Sequence, residues 1–127
     1  MRVTGSIPQG DWRTVGEAAK RAEDTGSDVL MSPEIQNDPF IPLAFAALAT
    51  ERVELTTGIA VACPRSPMVV ANTSFDLHRN SGGRFALGIG SQVRGHNVRR
   101  FSVPWSAPVP RLREYVQALR AIWRCWE

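Results

Sequence analysis

Residues 54–90 read ELTTGIAVACPRSPMVVANTSFDLHRNSGGRFALGIG, and their reading decides the fold. Glu54 to Val61 is rich in threonine and β-branched residues, the composition of a pleated strand. Ser66-Pro67 opens a helix, with serine at the N-cap and proline at the first helical position. Ser81-Gly82-Gly83 closes it, because glycine enters the left-handed region without steric cost. Phe85 to Ile89 is apolar on both faces apart from Gly88, as a strand buried in a parallel sheet reads. Two parallel strands need a crossover of about a dozen residues or more, which the helix supplies. The stretch is a βαβ unit.

Working toward the N-terminus, Asp38-Pro39 opens a helix with Phe40, Leu43, Ala44 and Ala47 on one face, ending near Thr50. Before it, Asp28 to Met31 reads as a short strand and Ser32 to Asp38 as a loop. Gly26 is placed as the C-cap of an earlier helix, which Asp11 begins and whose apolar face holds Val15, Ala18, Ala19 and Ala22. Arg2 to Ile7 is the first strand, stopped by Pro8-Gln9-Gly10. Beyond Gly90 lies a long polar loop, SQVRGHNVRRFSVPWSAP; loops of that length in compact domains are usually functional or mobile. From Pro110 a last helix carries Leu112, Tyr115, Val116, Leu119, Ile122, Trp123 and Trp126 at helical spacing. Strand and helix thus alternate four times. That rhythm fits a small open doubly wound sheet or half of a (β/α)8 barrel. The apolar helix that ends the chain without a capping glycine favours the N-terminal half of a barrel, one domain over 1–127 cut off at its C-terminus.

The totals exclude several classes. The 127 residues are 43% hydrophobic and 21% charged, an ordinary globular balance. No apolar run reaches the roughly 20 residues of a membrane span, and no secretion signal opens the chain, so no membrane association and a cytoplasmic location are expected. The net charge of +3 is carried almost wholly by arginine, Lys20 being the sole lysine. Its scatter forms no basic stripe with interleaved aromatics, which argues against nucleic acid. Cys63 and Cys125 show no metal-ligand spacing, so no metal site is expected.

TGIAVACPRSP, NSGGRFALGIG and RLREYVQALRAIW resemble, in order and spacing, the bacterial luciferase-like monooxygenase superfamily. The similarity is strongest to its coenzyme F420-dependent oxidoreductase branch, and DPFIPLAFAALATERVEL fits the second helix and third strand of that family. The resemblance covers nearly the whole chain but only the N-terminal half of a member. It implies a TIM barrel holding a flavin or deazaflavin at the carboxyl ends of its strands. It also implies a bulge with a non-prolyl cis peptide after the third strand, which maps to about Ala60-Val61. The residues suit that role: Gly58, Ala60, Val61 and Ala62 offer a close backbone and, apart from Val61, minimal side chains.

The remaining candidates follow from the same placement. Glu34, past the second strand, is a potential hydrogen-bonding group or general acid–base, or else a solvated loop carboxylate. Ile35 stands where many relatives have histidine. Asp38 is expected to cap a helix. Gly90, Ser91 and Gln92 follow the fourth strand, where Gly90 admits a ligand and the two side chains offer directional hydrogen bonds. A dinucleotide fingerprint is excluded, since its third glycine falls on Val93. His96 has a titration range suited to proton transfer, while His78 reads as structural. The resemblance thus implies an F420-dependent oxidoreductase moving a hydride to or from a small organic substrate. The alternatives are an FMN-dependent monooxygenase and a non-catalytic half-barrel that only dimerises. Four βα units alone lack the phosphate loops that follow strands seven and eight of a barrel, so weak F420 binding is expected of the isolated chain. Its open edges also suggest a homodimer or pairing with a second half-barrel.

Overall fold

In the computed structural model, which describes residues 1–127, local signals start and stop the elements much where the sequence places them. Strand β1 (Thr4–Ser6) leads to helix α1 (Trp12–Asp24), where the Asp11 carboxylate accepts the Arg13 N–H at 3.0 Å. Strand β2 (Val29–Ser32) leads to helix α2 (Ile41–Ala49), and the Asp38 carboxylate accepts the N–H groups of Phe40 and Ile41. Asp38 thus serves the helix start as expected, although α2 begins at Ile41 with Phe40 in the N-cap position, later than Asp38-Pro39 suggests. Helix α3 (Pro67–Asn80) follows, with the Met68 N–H donating to Ser66 Oγ; past its end Gly82 and Gly83 take φ of 68° and 85°. Helix α4 (Pro108–Arg124) closes the chain, beginning two residues ahead of the expected Pro110.

Two expected strands are interrupted. Glu54 to Val61 is not continuous: it forms β3 (Glu54–Thr57) and β4 (Ala60–Val61), separated by a cis peptide bond at Gly58–Ile59. The cis bond therefore lies two residues ahead of Ala60-Val61. Phe85 to Ile89 likewise divides into β5 (Phe85–Ala86) and β6 (Ile89–Gly90). The two breaks are matched. Thr57 Oγ1 donates to Gly88 O at 2.6 Å and accepts the Gly88 N–H at 3.0 Å, so one hydroxyl ties the two breaks together.

The chain forms two compact units, residues 1–60 with 74–88 and residues 61–73 with 89–127. The first holds a parallel sheet in the order β1-β2-β3-β5. Its register pairs Leu30 with Leu55 and Leu55 with Phe85, and Ser32 with Thr57. Those five side chains therefore share one face, and all are buried. On the opposite face Val29 is buried near the amino end, but toward the carboxyl end Ser6 and Ala86 are exposed while Met31 and Thr56 are half-buried. A doubly wound sheet buries both faces; one-sided cover suits a barrel segment. Helices α1 and α2 pack together, burying Val15, Ala19, Leu43, Ala46 and Ala47. Ala46 takes the core position expected of Ala44, which is exposed.

In the second unit, Tyr115 and Leu119 are the buried positions of α4, and Trp123 Nε1 donates to Ala71 O at 3.3 Å. Burial pushes the Tyr115 phenol up to about 12. No helix is long and apolar enough to cross a membrane. No group of three or more His, Cys, Asp or Glu side chains is placed to hold a metal ion.

Candidate functional site at the carboxyl ends of the strands

In the first unit the site begins where β2 runs out. Ser32 is fully buried, and its carbonyl accepts the Gly58 N–H at 2.9 Å, tying the end of β2 to the break in the neighbouring strand. Gln9 reaches over from the end of β1: its Nε2 donates to Ser32 Oγ at 3.0 Å and to Pro33 O at 2.6 Å. Asn37 Nδ2 in turn donates to Gln9 O. This bracing holds the Ser32–Pro33–Glu34 segment in place. Gln9 was legible only as a turn residue, because nothing local announces a partner 23 residues away.

Glu34 is 8% exposed, so the solvated loop reading does not hold. A carboxylate buried at the carboxyl end of a parallel strand is placed where α/β enzymes build sites.

Gly58 and Gly88 are required here for their lack of a side chain. A Cβ on Gly88 would strike the carbonyl oxygen of Thr57, and one on Gly58 would strike Met31 Sδ and Cγ. Met31 therefore lies over Gly58, so the surface at this point is part thioether and part bare backbone. Ala60 is 1% exposed, and its N–H donates to Gly88 O at 2.9 Å.

The second unit holds the other expected residues. Val61 and Ala62 are buried, and the Ala62 N–H donates to Gly90 O at 3.0 Å. The turn after β4 is closed by Arg65, whose N–H donates to Ala62 O and whose Nη1 donates to Val61 O. Gly90, Ser91 and Gln92 are half-buried. Gln92 has a φ of 57°, uncommon for a residue other than glycine, and its Oε1 accepts the N–H of Val93. Its amide nitrogen is thus the group available to donate to a ligand. His96 is exposed in a π-helical turn, His96–Arg100, inside what the sequence suggested was irregular loop. His78 Nδ1 donates to Phe85 O at 3.1 Å, in keeping with a structural role. Glu34, Gly58 and Ala60 thus belong to the first unit, and Val61, Ala62, Gly90, Ser91, Gln92 and His96 to the second.

Comparison with known proteins agrees with this architecture. The luciferase-like monooxygenase family matches residues 1–125. An uncharacterized protein of Mycobacterium tuberculosis is 48% identical over 127 residues, which is 100% of this chain and 37% of that relative. A putative coenzyme F420-dependent oxidoreductase of the same organism is 34% identical over 112 residues, covering 84% of this chain and 31% of the relative. Among solved structures, the oxygenating constituent of 3,6-diketocamphane monooxygenase from Pseudomonas putida, in complex with FMN, superposes with a TM-score of 0.81. It is 20% identical, and the match covers 97% of this chain and 40% of that one. The chain thus spans well under half the length of the relatives it matches.

Proposed function

The chain belongs to the luciferase-like monooxygenase family, as the N-terminal half of its barrel, and we propose that it serves coenzyme F420-dependent hydride transfer with a small organic substrate. The observation that carries this reading is the burial of Glu34, 8% exposed, at the carboxyl end of β2, on a segment that Gln9 braces at Ser32 and Pro33. The cofactor assignment draws on the 34% identity to a putative F420-dependent oxidoreductase. The likeness to an FMN-containing monooxygenase stands at 20% identity and speaks for the fold alone, so FMN with molecular oxygen is the second reading.

The residues suit a flat ring. Gly58 and Gly88 leave no room for a Cβ, and Ala60 and Ala62 add only a methyl group each. When bound, a deazaflavin supplies the hydride chemistry. Gly58, Ala60, Val61 and Ala62 line the ring's surface in this proposal. Gly90 admits it, and the Ser91 hydroxyl and the Gln92 amide nitrogen hydrogen-bond its polar edge. Glu34 holds or moves a proton at its carboxylate oxygen, and exposed His96 exchanges protons with solvent or substrate. The sheet edges β1 and β5 suit pairing with a second half-barrel or a second copy. A chain that only dimerises, without catalysis, is the competing reading.

Incubating the whole protein separately with F420 and FMN, then desalting, tests the cofactor. Retained F420 absorbance supports the proposal; retention of FMN alone would replace it with the monooxygenase reading. Retention of neither would leave the dimerising half-barrel. Glu34→Ala and His96→Ala in active protein should each reduce turnover, about 100-fold for a residue that transfers a proton. Unchanged turnover would remove that residue from the mechanism.

A further inference from the structure

The π-helical turn His96–Arg100 has one buried side chain, and it is an asparagine: Asn97 is 1% exposed while His96, Val98, Arg99 and Arg100 are exposed. A buried polar side chain needs a reason. Asn97 Nδ2 donates to Ser91 O at 2.8 Å and to Val93 O at 3.1 Å. Both neighbours are carbonyl oxygens, so only the amide NH2 can face them. The Asn97 Oδ1 has no partner. The donors, not the acceptor, therefore account for the burial.

The two carbonyls flank Gln92, the residue with φ of 57°. A glutamine rests poorly in that region unless its surroundings hold it there. Asn97 grips the peptide on either side of it and uses its own backbone as well: its N–H donates to Val93 O at 3.2 Å and its carbonyl accepts the Val103 N–H at 2.9 Å. One residue thereby closes the segment 91–103 from inside.

We propose that Asn97 is the positioning residue that holds Ser91, Gln92 and Val93 in an arch and so fixes how Ser91 and Gln92 meet the cofactor. The cofactor clause rests on the function proposed above; the arch does not. Asn97→Asp keeps the shape and removes the NH2 donors, and Asn97→Ala removes the side chain without adding charge, should the aspartate variant fail to fold. Hydrogen–deuterium exchange, thermal unfolding and titration with F420 and with FMN are compared with the unmodified protein. Exchange at the Val93 and Val103 amides should rise about tenfold, as loss of two hydrogen bonds implies, while the Leu119 amide in α4 stays protected. Cofactor affinity should fall about tenfold. Unchanged exchange at Val93 and Val103 would overturn the proposal, as would faster exchange with undiminished affinity, which would make Asn97 purely structural. Loss of protection throughout α4 would equally overturn it. If the unmodified protein binds neither cofactor, the functional reading falls while the exchange data still decide the arch.

Discussion

The two ends of the strands in the first unit are built on opposite terms. At their amino ends, two charged side chains take up the backbone groups of the connections. The buried Glu23 carboxylate accepts the N–H groups of Glu51, Arg52 and Val53 at 2.7–3.2 Å. Opposite it, the Arg84 guanidinium donates to Ala47 O, Thr50 O, Thr50 Oγ1, Val53 O and Ser81 O. One residue takes the amides of the α2–β3 connection and the other its carbonyls. At the carboxyl ends lie small residues, Gly58, Ala60 and Gly88, with the Met31 thioether and the buried Glu34. The difference separates an end held by charged side chains from one built of small residues that tie backbone to backbone.

Breaking the clamp should have the largest effect. Arg84 uses all its donor directions at 2.7–3.0 Å. Arg84→Ala strands several acceptors and should lower unfolding free energy by about 3 kcal/mol in urea denaturation. Arg84→Lys should recover little, because a point cation cannot reproduce the fork. A loss below about 1 kcal/mol would show that water replaces the guanidinium.

Acid should open the same clamp from the other side. Burial alone would raise the Glu23 carboxyl, but the N–H groups of Val53, Arg52 and Glu51, with the Lys20 ammonium, outweigh it and hold the group at about 2 against an ordinary 4.5. A folded value below the unfolded one stabilises the protein above pH 4.5 and loses that contribution as pH falls toward 2. We expect about 2 kcal/mol over this window, below the full linkage value because Lys20 lies near solvent. Glu23→Gln should remove that part of the acid dependence, as denaturation at stepped pH will reveal. An unchanged slope would assign it to other carboxylates.

The amino ends were poorly legible because their partners lie far apart in sequence. Glu23 reads as an ordinary surface acid, though it sits in the last turn of α1, the wrong end for a negative charge; that mismatch was the available signal. Arg84 was visible only as part of SGGR, where the glycines drew attention. The helix starts were legible because Asp11 and Ser66 cap within two residues of themselves. The break at Gly58 was not, since Glu54 to Val61 keeps a strand's composition throughout. Asn97 escaped notice beside His96, whose chemistry is more familiar. The small residues at 58–62 are legible as such, but Met31 over Gly58 depends on the register of β2 with β3.

The smallest effect should come from the two glycines at the carboxyl ends, and their difference sharpens the contrast. A methyl group on Gly88 meets the Thr57 carbonyl oxygen, part of a backbone held by the Thr57 hydroxyl. Nothing there can give way cheaply, so Gly88→Ala should cost about 2 kcal/mol. The same methyl on Gly58 meets Met31 Sδ and Cγ, a side chain rather than backbone, which clears the methyl only by turning about its first torsion. Gly58→Ala should therefore cost less than Gly88→Ala, about 1 kcal/mol for the forced change of rotamer. Combining it with Met31→Ala should relieve the collision, leaving only the cost of the methionine truncation itself. Denaturation of the two single variants and the double variant measures all three terms. If Gly58→Ala proves as costly as Gly88→Ala and Met31→Ala brings no relief, Met31 is not an adjustable cover, and the surface over Gly58 is as rigid as the clamped amino ends.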